Sequence, residues 1–529
     1  MVVSGNPQAT LAGVRVLEEG GNAVDAAVVT ALALGVVEPS QSGLGGRTQI
    51  LVGLPDGTFH GIDGTTQIPA GYDEATAPRV ERGYATVAVP GTVRGLARAL
   101  REHGTLSWEA AVRPAIHLAE GGFVITEGEA RRLRANADAL SGDEELAALF
   151  LPGGTPVEAG DTVINPPLGR TLATLAREGP EAFYTGSLAR RMADDLAARG
   201  AFVTATDLAE YRAEDVPTGT GRYGEIELVG TWLPASGVTT VEVLQILDQL
   251  DLGGEDEARW AAALAQALLA GFRDRERAQR DPPEAAVARL TDGDLAGERA
   301  AAIRLPAAGG EADTAGAGAG PGGGGPGSPA GAAPSALPPD PVPDHTTHVS
   351  VADAGGRLVA MTQSLGPSWG AAVGTPGLGF PYAATLGGYL ADLGPGGRAW
   401  SSQSPLLAYR SGEPWLVIGG GGARRIISAI VSTVARMADQ GLSLDEALAA
   451  PRLHPSGRQV VLERGRGSAW APSVARGLES VGFTVRFQET GTFFARLNAV
   501  GRTTDGRWIG AADPRWPWSL ARGPRPTGR

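Results

Sequence analysis

The sequence contains no cysteine and no lysine. The first absence removes thiol nucleophiles, disulfides and cysteine metal sites. The second removes Schiff-base and pyridoxal chemistry and the lysine of a Walker-type phosphate loop. All 45 basic residues are therefore arginine, against 58 acidic residues, and the net charge of −13 argues against a general nucleic-acid binder. Histidine is scarce: His60, His103, His117, His345, His348 and His454. Only His345 and His348 lie close together, and no acidic pair at ligand spacing accompanies them, so no metal and no cofactor are expected. No apolar run reaches membrane length. The longest, Ala23–Val37, carries Asp25 and is too short to span a bilayer. With no basic, apolar leader at the start, the expected location is the cytoplasm, away from membranes, or the periplasm or exterior should the start codon be mis-assigned. Hydroxyls and carboxylates remain as candidate nucleophiles.

The chain has 529 residues, 43% of them apolar, ample for a large core. Up to about residue 305, helical stretches alternate with short strands. Apolar residues recur at helical spacing over 96–102, 108–120, 168–176, 184–200 and 260–279, and strands are expected at 48–54 and 225–233. Asn22 followed by Asp25 reads as an N-cap, and Pro39 ends that helix. Composition then changes: 306–343 is almost entirely Gly, Ala and Pro with a few acids, too poor in apolar surface to order itself. Beyond it, near-alternation from Thr346 predicts a half-buried strand, 353–356 a turn, and 357–364 the returning strand of a hairpin. A further strand at 415–418 runs into Gly419, Gly420, Gly421 and Gly422, and a helix is expected over 423–437. Strands around 482–487 and 507–510 close the chain.

A threonine hydroxyl needs an adjacent base to act as a nucleophile. An N-terminal threonine carries one, since its own α-amine, with a pKa of about 8, is partly neutral at pH 7. Thr346 stands at the junction of a low-complexity tail and a strand, where backbone cleavage would free such an end. The same position also suits an ordinary edge-strand start.

The run Thr346-Thr347-His348-Val349-Ser350-Val351-Ala352-Asp353 resembles the start of the small subunit in the γ-glutamyltranspeptidase family. Gly20-Gly21-Asn22-Ala23-Val24-Asp25 is similar to that family's N-terminal signature and Gly43-Leu44-Gly45-Gly46 to its glycine loop. Further blocks follow in the same order: Gly91-Thr92-Val93-Arg94-Gly95, His103-Gly104-Thr105, Ala182-Phe183-Tyr184-Thr185-Gly186, Asp207-Leu208-Ala209-Glu210-Tyr211, Ser401-Ser402, Pro451-Arg452-Leu453-His454 and Gly510-Ala511-Ala512-Asp513-Pro514-Arg515. The resemblance implies an α+β fold, the four-layered αββα sandwich of N-terminal-nucleophile hydrolases. It implies self-cleavage between His345 and Thr346 into a large subunit 1–345, whose 306–343 tail is disordered, and a small subunit 346–529, together one structural unit.

It also implies a mechanism: Thr346 attacks a γ-glutamyl amide, backbone amides at Gly422 and Ala423 stabilise the oxyanion, and water or an amino-acid or peptide acceptor releases the acyl group, as in glutathione hydrolysis. The rival reading of the glycine run, a nucleotide phosphate site, lacks both a lysine and the full fingerprint. Ser401 and Ser402 match the pair that contacts the glutamyl carboxylate, and Ser364 supplies the hydroxyl beside the nucleophile. At three places the family pattern is missing. Gly366 stands at the family's Asn, Thr65 at the Arg that pairs the α-carboxylate, and no acid occurs at 385–388 where the α-ammonium would be held. A glutamyl head group would lose a bidentate partner and a counter-charge, at about 1–3 kcal/mol each. Either another arginine substitutes, Arg47 being a candidate, or the substrate differs. The alternatives are a related acylase of different acyl specificity, as in cephalosporin acylases, and a non-catalytic family member. His348, Arg452 and His454 read as structural, and Trp369, Trp516 and Trp518 as core or rim, with the acceptor side of the cleft a second possibility for Trp369.

Overall fold

In the structure, a computed structural model of the chain, residues 1–250, 252, 256–307, 345–387, 393–465 and 468–525 are described. The expected disorder of 306–343 therefore falls almost wholly outside the described residues.

Two antiparallel sheets stack on one another. The first has seven strands, in the order Leu520–Arg522, Val2–Ser4, Thr346–Ala352, Leu358–Ser364, Arg47–Gly53, Phe59–Gly64 and Glu214–Val216. The second has six: Trp508–Ala512, Arg496–Arg502, Glu413–Gly421, Leu406–Arg410, Ile226–Thr231 and Thr218–Tyr223. The alternation that begins at Thr346 explains the stacking. One set of side chains, exemplified by Ala352, Leu358, Ala360 and Leu51, meets Leu407, Val417 and Val500 of the other sheet. The opposite set, with Val349, Val351, Val359 and Met361, packs under the helices Pro7–Glu18 and Ala23–Val37. Beyond the second sheet lie Gly237–Asp248, Glu257–Ala278 and Arg425–Asp439. Helix, sheet, sheet and helix make four layers, as expected from the resemblance. A further small sheet pairs Gln459–Gly465 in parallel with Thr484–Glu489.

Ala23–Val37 is apolar on every side because neighbours cover every side; all of it but Gly35 is buried. Its start is fixed by a capping box, in which the Asn22 side chain accepts from the Asp25 amide and Asp25 from the Asn22 amide at 2.9 Å. Asp25 is fully buried yet satisfied, since it also accepts from the amides of Thr105 (2.7 Å) and Leu106 (2.9 Å). Two segments drawn together by the sequence motifs are thus tied by one carboxylate.

The 415–418 strand is longer than expected, spanning Glu413–Gly421, and the helix after it starts at Arg425. Three of the four glycines are strand residues with no room for a side chain: Gly419 and Gly421 face the first sheet, and Gly420 is crowded by the neighbouring strand of its own sheet. A Cβ at Gly419 would collide with the His348 ring, at Gly420 with the carbonyl of Arg496, and at Gly421 with the carbonyl of Thr346. Among the described residues no helix is long and apolar enough to cross a membrane.

Candidate active site

Thr346 opens a central strand of the first sheet, between Val2–Ser4 and Leu358–Ser364, and is 8% exposed. Strand pairing sets Ser364 directly opposite it. The Thr346 hydroxyl donates to Ser364 Oγ at 3.2 Å, and Ser364 Oγ donates to the carbonyl oxygen of His345 at 2.7 Å. The Gly366 amide in turn donates to Ser364 Oγ at 3.0 Å. One serine therefore holds the threonine hydroxyl and the carbonyl of the peptide bond before it. Gly366 takes part through its amide alone. Its φ of +87° favours glycine, and a Cβ there would meet the carbonyl of Ala384 at 2.5 Å.

The strand Glu413–Gly421 delivers its C-terminal end to this point. Gly422 follows with φ of +142° and Ala423 with φ of +53°, a left-handed conformation that costs a non-glycine residue about 1 kcal/mol. The carbonyls of Gly422 and Ala423 accept the first amides of the helix Arg425–Asp439. Their own N–H groups have no acceptor among the described residues, which is the arrangement a developing oxyanion requires.

His348 lies on the same face as Thr346, two residues on, with the Gly419 backbone over its ring. Thr362 Oγ1 lies 2.7 Å from Nδ1 and Ser350 Oγ 3.1 Å from Nε2. Burial lowers its pKa to about 3, so the ring is neutral and acts as a spacer between sheets, the structural role expected. Arg452 and His454 are also structural. Arg452 pairs with Asp513 at 2.6 Å, and His454 Nδ1 lies 2.8 Å from Ser428 Oγ. Trp369 is buried, edge-on to Phe150.

Ser401 and Ser402 are half-buried beside the strand Leu358–Ser364, where Gln403 Nε2 donates to the carbonyl of Thr362 at 3.4 Å. The Ser401 carbonyl accepts from buried Arg275 (2.8 Å) and from Ser236 Oγ (2.7 Å), which fixes the segment. Thr65 is placed differently from a ligand group. It is wholly buried, its hydroxyl accepts from Gln49 Nε2 at 2.7 Å, and its carbonyl accepts from Tyr211. Thr385, at the start of the segment where the family pattern would place an acid, donates to Thr66 at 3.0 Å; Gly388 lies outside the described residues. Arg398, nearby, is committed to Asp63 (2.9 Å), to Glu214 (3.0 Å) and to the carbonyl of Arg212.

A buried charge cluster behind the nucleophile went unnoticed in the sequence. Thr347 faces the helix layer, where the carboxylate of Glu38 lies beside it at the end of Ala23–Val37. Burial, reinforced by Glu129, raises the Glu38 pKa to about 7 against the opposing pull of Arg132 and Arg496. Both guanidiniums lie over Trp516, Arg132 at 4.5 Å and Arg496 at 3.6 Å from the ring centroid. A cavity of about 10 Å³, bounded by Gly5, Thr346, Gly421, Arg496, Asn498 and Trp516, separates this cluster from the threonine. The only sequence signal was an acid directly before Pro39.

Comparison with known proteins agrees with this geometry. The family model described as Gamma-glutamyltranspeptidase matches residues 9–521. The chain is 35% identical to the Acylase ACY 1 proenzyme of Pseudomonas sp. (strain V22), with 97% of this chain and 91% of that protein aligned. It is 30% identical to the Glutathione hydrolase proenzyme of Escherichia coli (strain K12), over 97% of this chain and 90% of that one. The fold superimposes on cephalosporin acylase from Bacillus halodurans with a TM-score of 0.84, covering 99% of this chain and 95% of that one at 24% identity. It matches Helicobacter pylori gamma-glutamyltranspeptidase with a TM-score of 0.53 over 56% of this chain and 90% of that chain, at 28% identity. The match over nearly the whole chain leads to one conclusion: the chain belongs to the γ-glutamyltranspeptidase family, whose enzymes are amide hydrolases and acyltransferases.

Proposed function

We propose that this chain cleaves itself between His345 and Thr346 and then works as an amide hydrolase or acyltransferase with Thr346 as its nucleophile. The observation that carries this reading is the Ser364 bridge, 3.2 Å from the threonine hydroxyl and 2.7 Å from the His345 carbonyl oxygen. In the intact chain Thr346 Oγ1 attacks the His345 carbonyl carbon. Ser364 donates to the oxygen that becomes negative. The C–N bond then breaks, its nitrogen takes the proton, and an ester joins His345 to Thr346. Water hydrolyses that ester, giving fragments 1–345 and 346–529 that remain one folded unit, because their strands share a sheet.

The freed α-amine then accepts the proton of Oγ1 as the hydroxyl attacks an acyl amide. The Gly422 and Ala423 amides receive the oxyanion. The amine leaves protonated, and water or an amino-acid or peptide acceptor takes the acyl group from Thr346. Ser401 and Ser402 line the donor side. A γ-glutamyl donor is the family-level reading. The burial of Thr65 and its bond to Gln49 favour a second one, an acylase for acyl groups without the α-amino-acid head.

The test is intact-mass analysis of freshly purified wild type and Thr346→Ala, followed by turnover of γ-glutamyl and other acyl anilides. Two polypeptides, the smaller beginning at Thr346, are expected for wild type and one for the variant. A wild type that stays whole overturns the reading. Cleavage without turnover or acyl-enzyme for any donor leaves a non-catalytic family member.

A further inference from the structure

We propose that Glu38 is a positioning residue for the nucleophile: in its ionised form it pins the head of the strand Thr346–Ala352 by way of Thr347. The proposal rests on Thr346 being the acyl-accepting residue. It starts from a cradle of oxygens. A methyl group on Gly5 would lie 2.8 Å from Thr347 Oγ1 and 2.9 Å from each carboxylate oxygen of Glu38, so the three oxygens converge on one glycine. All three are buried, and none has a hydrogen-bond partner elsewhere among the described residues. An ionised carboxylate only accepts, so the Thr347 hydroxyl is the donor, and its proximity favours the ionised form.

The charges around Glu38 also favour that form. The helix Glu127–Leu140 brings Glu129 and Arg132 to it, and the strand Arg496–Arg502 brings Arg496. Arg132 pairs with Glu129 at 3.1 Å, and Ser40 Oγ donates to Glu129 at 2.7 Å. With both acids ionised, two carboxylates match two guanidiniums; a neutral Glu38 leaves one positive charge over. Burial opposes ionisation and outweighs these helpers, which is why the pKa stands at about 7. A glutamine of the same shape would avoid that cost. An acid kept there at the expense of stability, beside the nucleophile's strand, is the pattern of a functional group.

Thr347 matters because of the cut. Before it, Thr346 is held by covalent bonds on both sides. Afterwards Thr346 is a chain end joined only to Thr347, and chain ends are the first parts of a fold to fray. Ser364 fixes its hydroxyl on the face toward the second sheet. Thr347, on the opposite face by strand alternation, is the first side chain able to fix the backbone behind it. The α-amine and the hydroxyl keep their aim only while that backbone is held, and a displacement of about 1 Å costs roughly 10²-fold in rate. Glu38 touches neither substrate nor the reacting atoms; it acts through its neighbour.

The test compares wild type, Glu38→Gln, Thr347→Val and Thr347→Ser as full chains. Self-cleavage is read by intact mass, and kcat for γ-glutamyl and glutaryl anilides from pH 5.5 to pH 9. Self-cleavage should stay within threefold of wild type in every variant. At pH 8, Glu38→Gln and Thr347→Val should each lose roughly 10–100-fold in kcat, although Glu38→Gln is expected to be the more stable protein there. The double variant should lose no more than either, since the two groups act as a pair. The gap for Glu38→Gln should close at pH 5.5, where wild-type Glu38 is neutral, and Thr347→Ser should keep kcat near wild type. A cut, active wild type whose kcat ratio to Glu38→Gln is constant across pH overturns the proposal alone, as does self-cleavage lost as deeply as turnover. For a wild type that cuts itself but turns over neither anilide, hydrogen–deuterium exchange of the small subunit's first peptide at pH 8 decides. Faster exchange in Glu38→Gln supports the hold, and equal exchange overturns it. A wild type that stays whole overturns this proposal together with the enzymatic reading.

Discussion

Removing one hydroxyl tests the Ser364 bridge. In Ser364→Ala three hydrogen bonds disappear: from the Thr346 hydroxyl, to the His345 carbonyl and from the Gly366 amide. Two of them mainly position groups, at about 0.5–1.5 kcal/mol each. The third points at the oxygen that turns negative when Thr346 attacks His345, and loss of one such donor is worth about 2.7–4 kcal/mol, roughly 10²–10³ in rate. Self-cleavage should therefore slow at least a hundredfold while the fold persists, because Ala is tolerated in a buried strand. The assay is a time course of precursor disappearance on denaturing gels after cell-free synthesis, with circular dichroism as the folding control. Ser364→Thr, which keeps the hydroxyl, should cut at a rate near wild type. Cleavage of Ser364→Ala within threefold of wild type would refute the argument, since the bridge would then be bystander geometry.

Two further outcomes concern stability. Asp513 is buried between Arg452 at 2.6 Å and Arg515 at 3.2 Å and accepts from the Leu497 amide. Burial alone would raise its pKa, but the two guanidiniums hold it below the usual carboxylate range. Asp513→Ala should cost about 3–5 kcal/mol at pH 7, because buried cations lose their partner. Its folded pKa is depressed, so the contribution is whole above about pH 4 and is lost as pH falls through the folded value. Urea unfolding at pH 7 and pH 3 should show the gap shrinking, and an unchanged gap would contradict the pairing. Glu38 behaves oppositely. With a pKa raised from 4.5 to about 7, it contributes fully below pH 4.5 and loses that contribution as pH rises through 7. Glu38→Gln should match wild type near pH 4 and exceed it by about 3 kcal/mol at pH 8, at 1.36 kcal/mol per pKa unit. Thermal unfolding across that range checks it, and parallel curves would count against a buried, ionising Glu38.

Much of the molecule was legible along the chain because the forces involved are local. The capping box at Asn22 and Asp25, the alternation from Thr346 and the helical spacing of 108–120 and 260–279 each reappear as elements within a few residues of their expected bounds. The glycine run was legible as special, but its reason was not. Gly419 and Gly421 are required by the closeness of the other sheet, at His348 and Thr346, and Gly420 by the neighbouring strand at Arg496, all far away along the chain. Thr65 was legible as a missing arginine, whereas its burial under Gln49 and Tyr211 was not.

The sequence by itself determined the fold class, the family and the threonine to watch, since these follow from periodicity and from motifs in a shared order. Only the tertiary structure decided what surrounds that threonine. It set Ser364 between Thr346 and Arg47 by strand register, committed Arg398 to Asp63, and packed Glu38 with Arg132 and Arg496 behind the strand. Apart from Ser364, on the adjoining hairpin strand, those neighbours come from segments far apart in the chain, and hydrogen bonding and charge pairing in a buried site depend on distances that linear order does not carry.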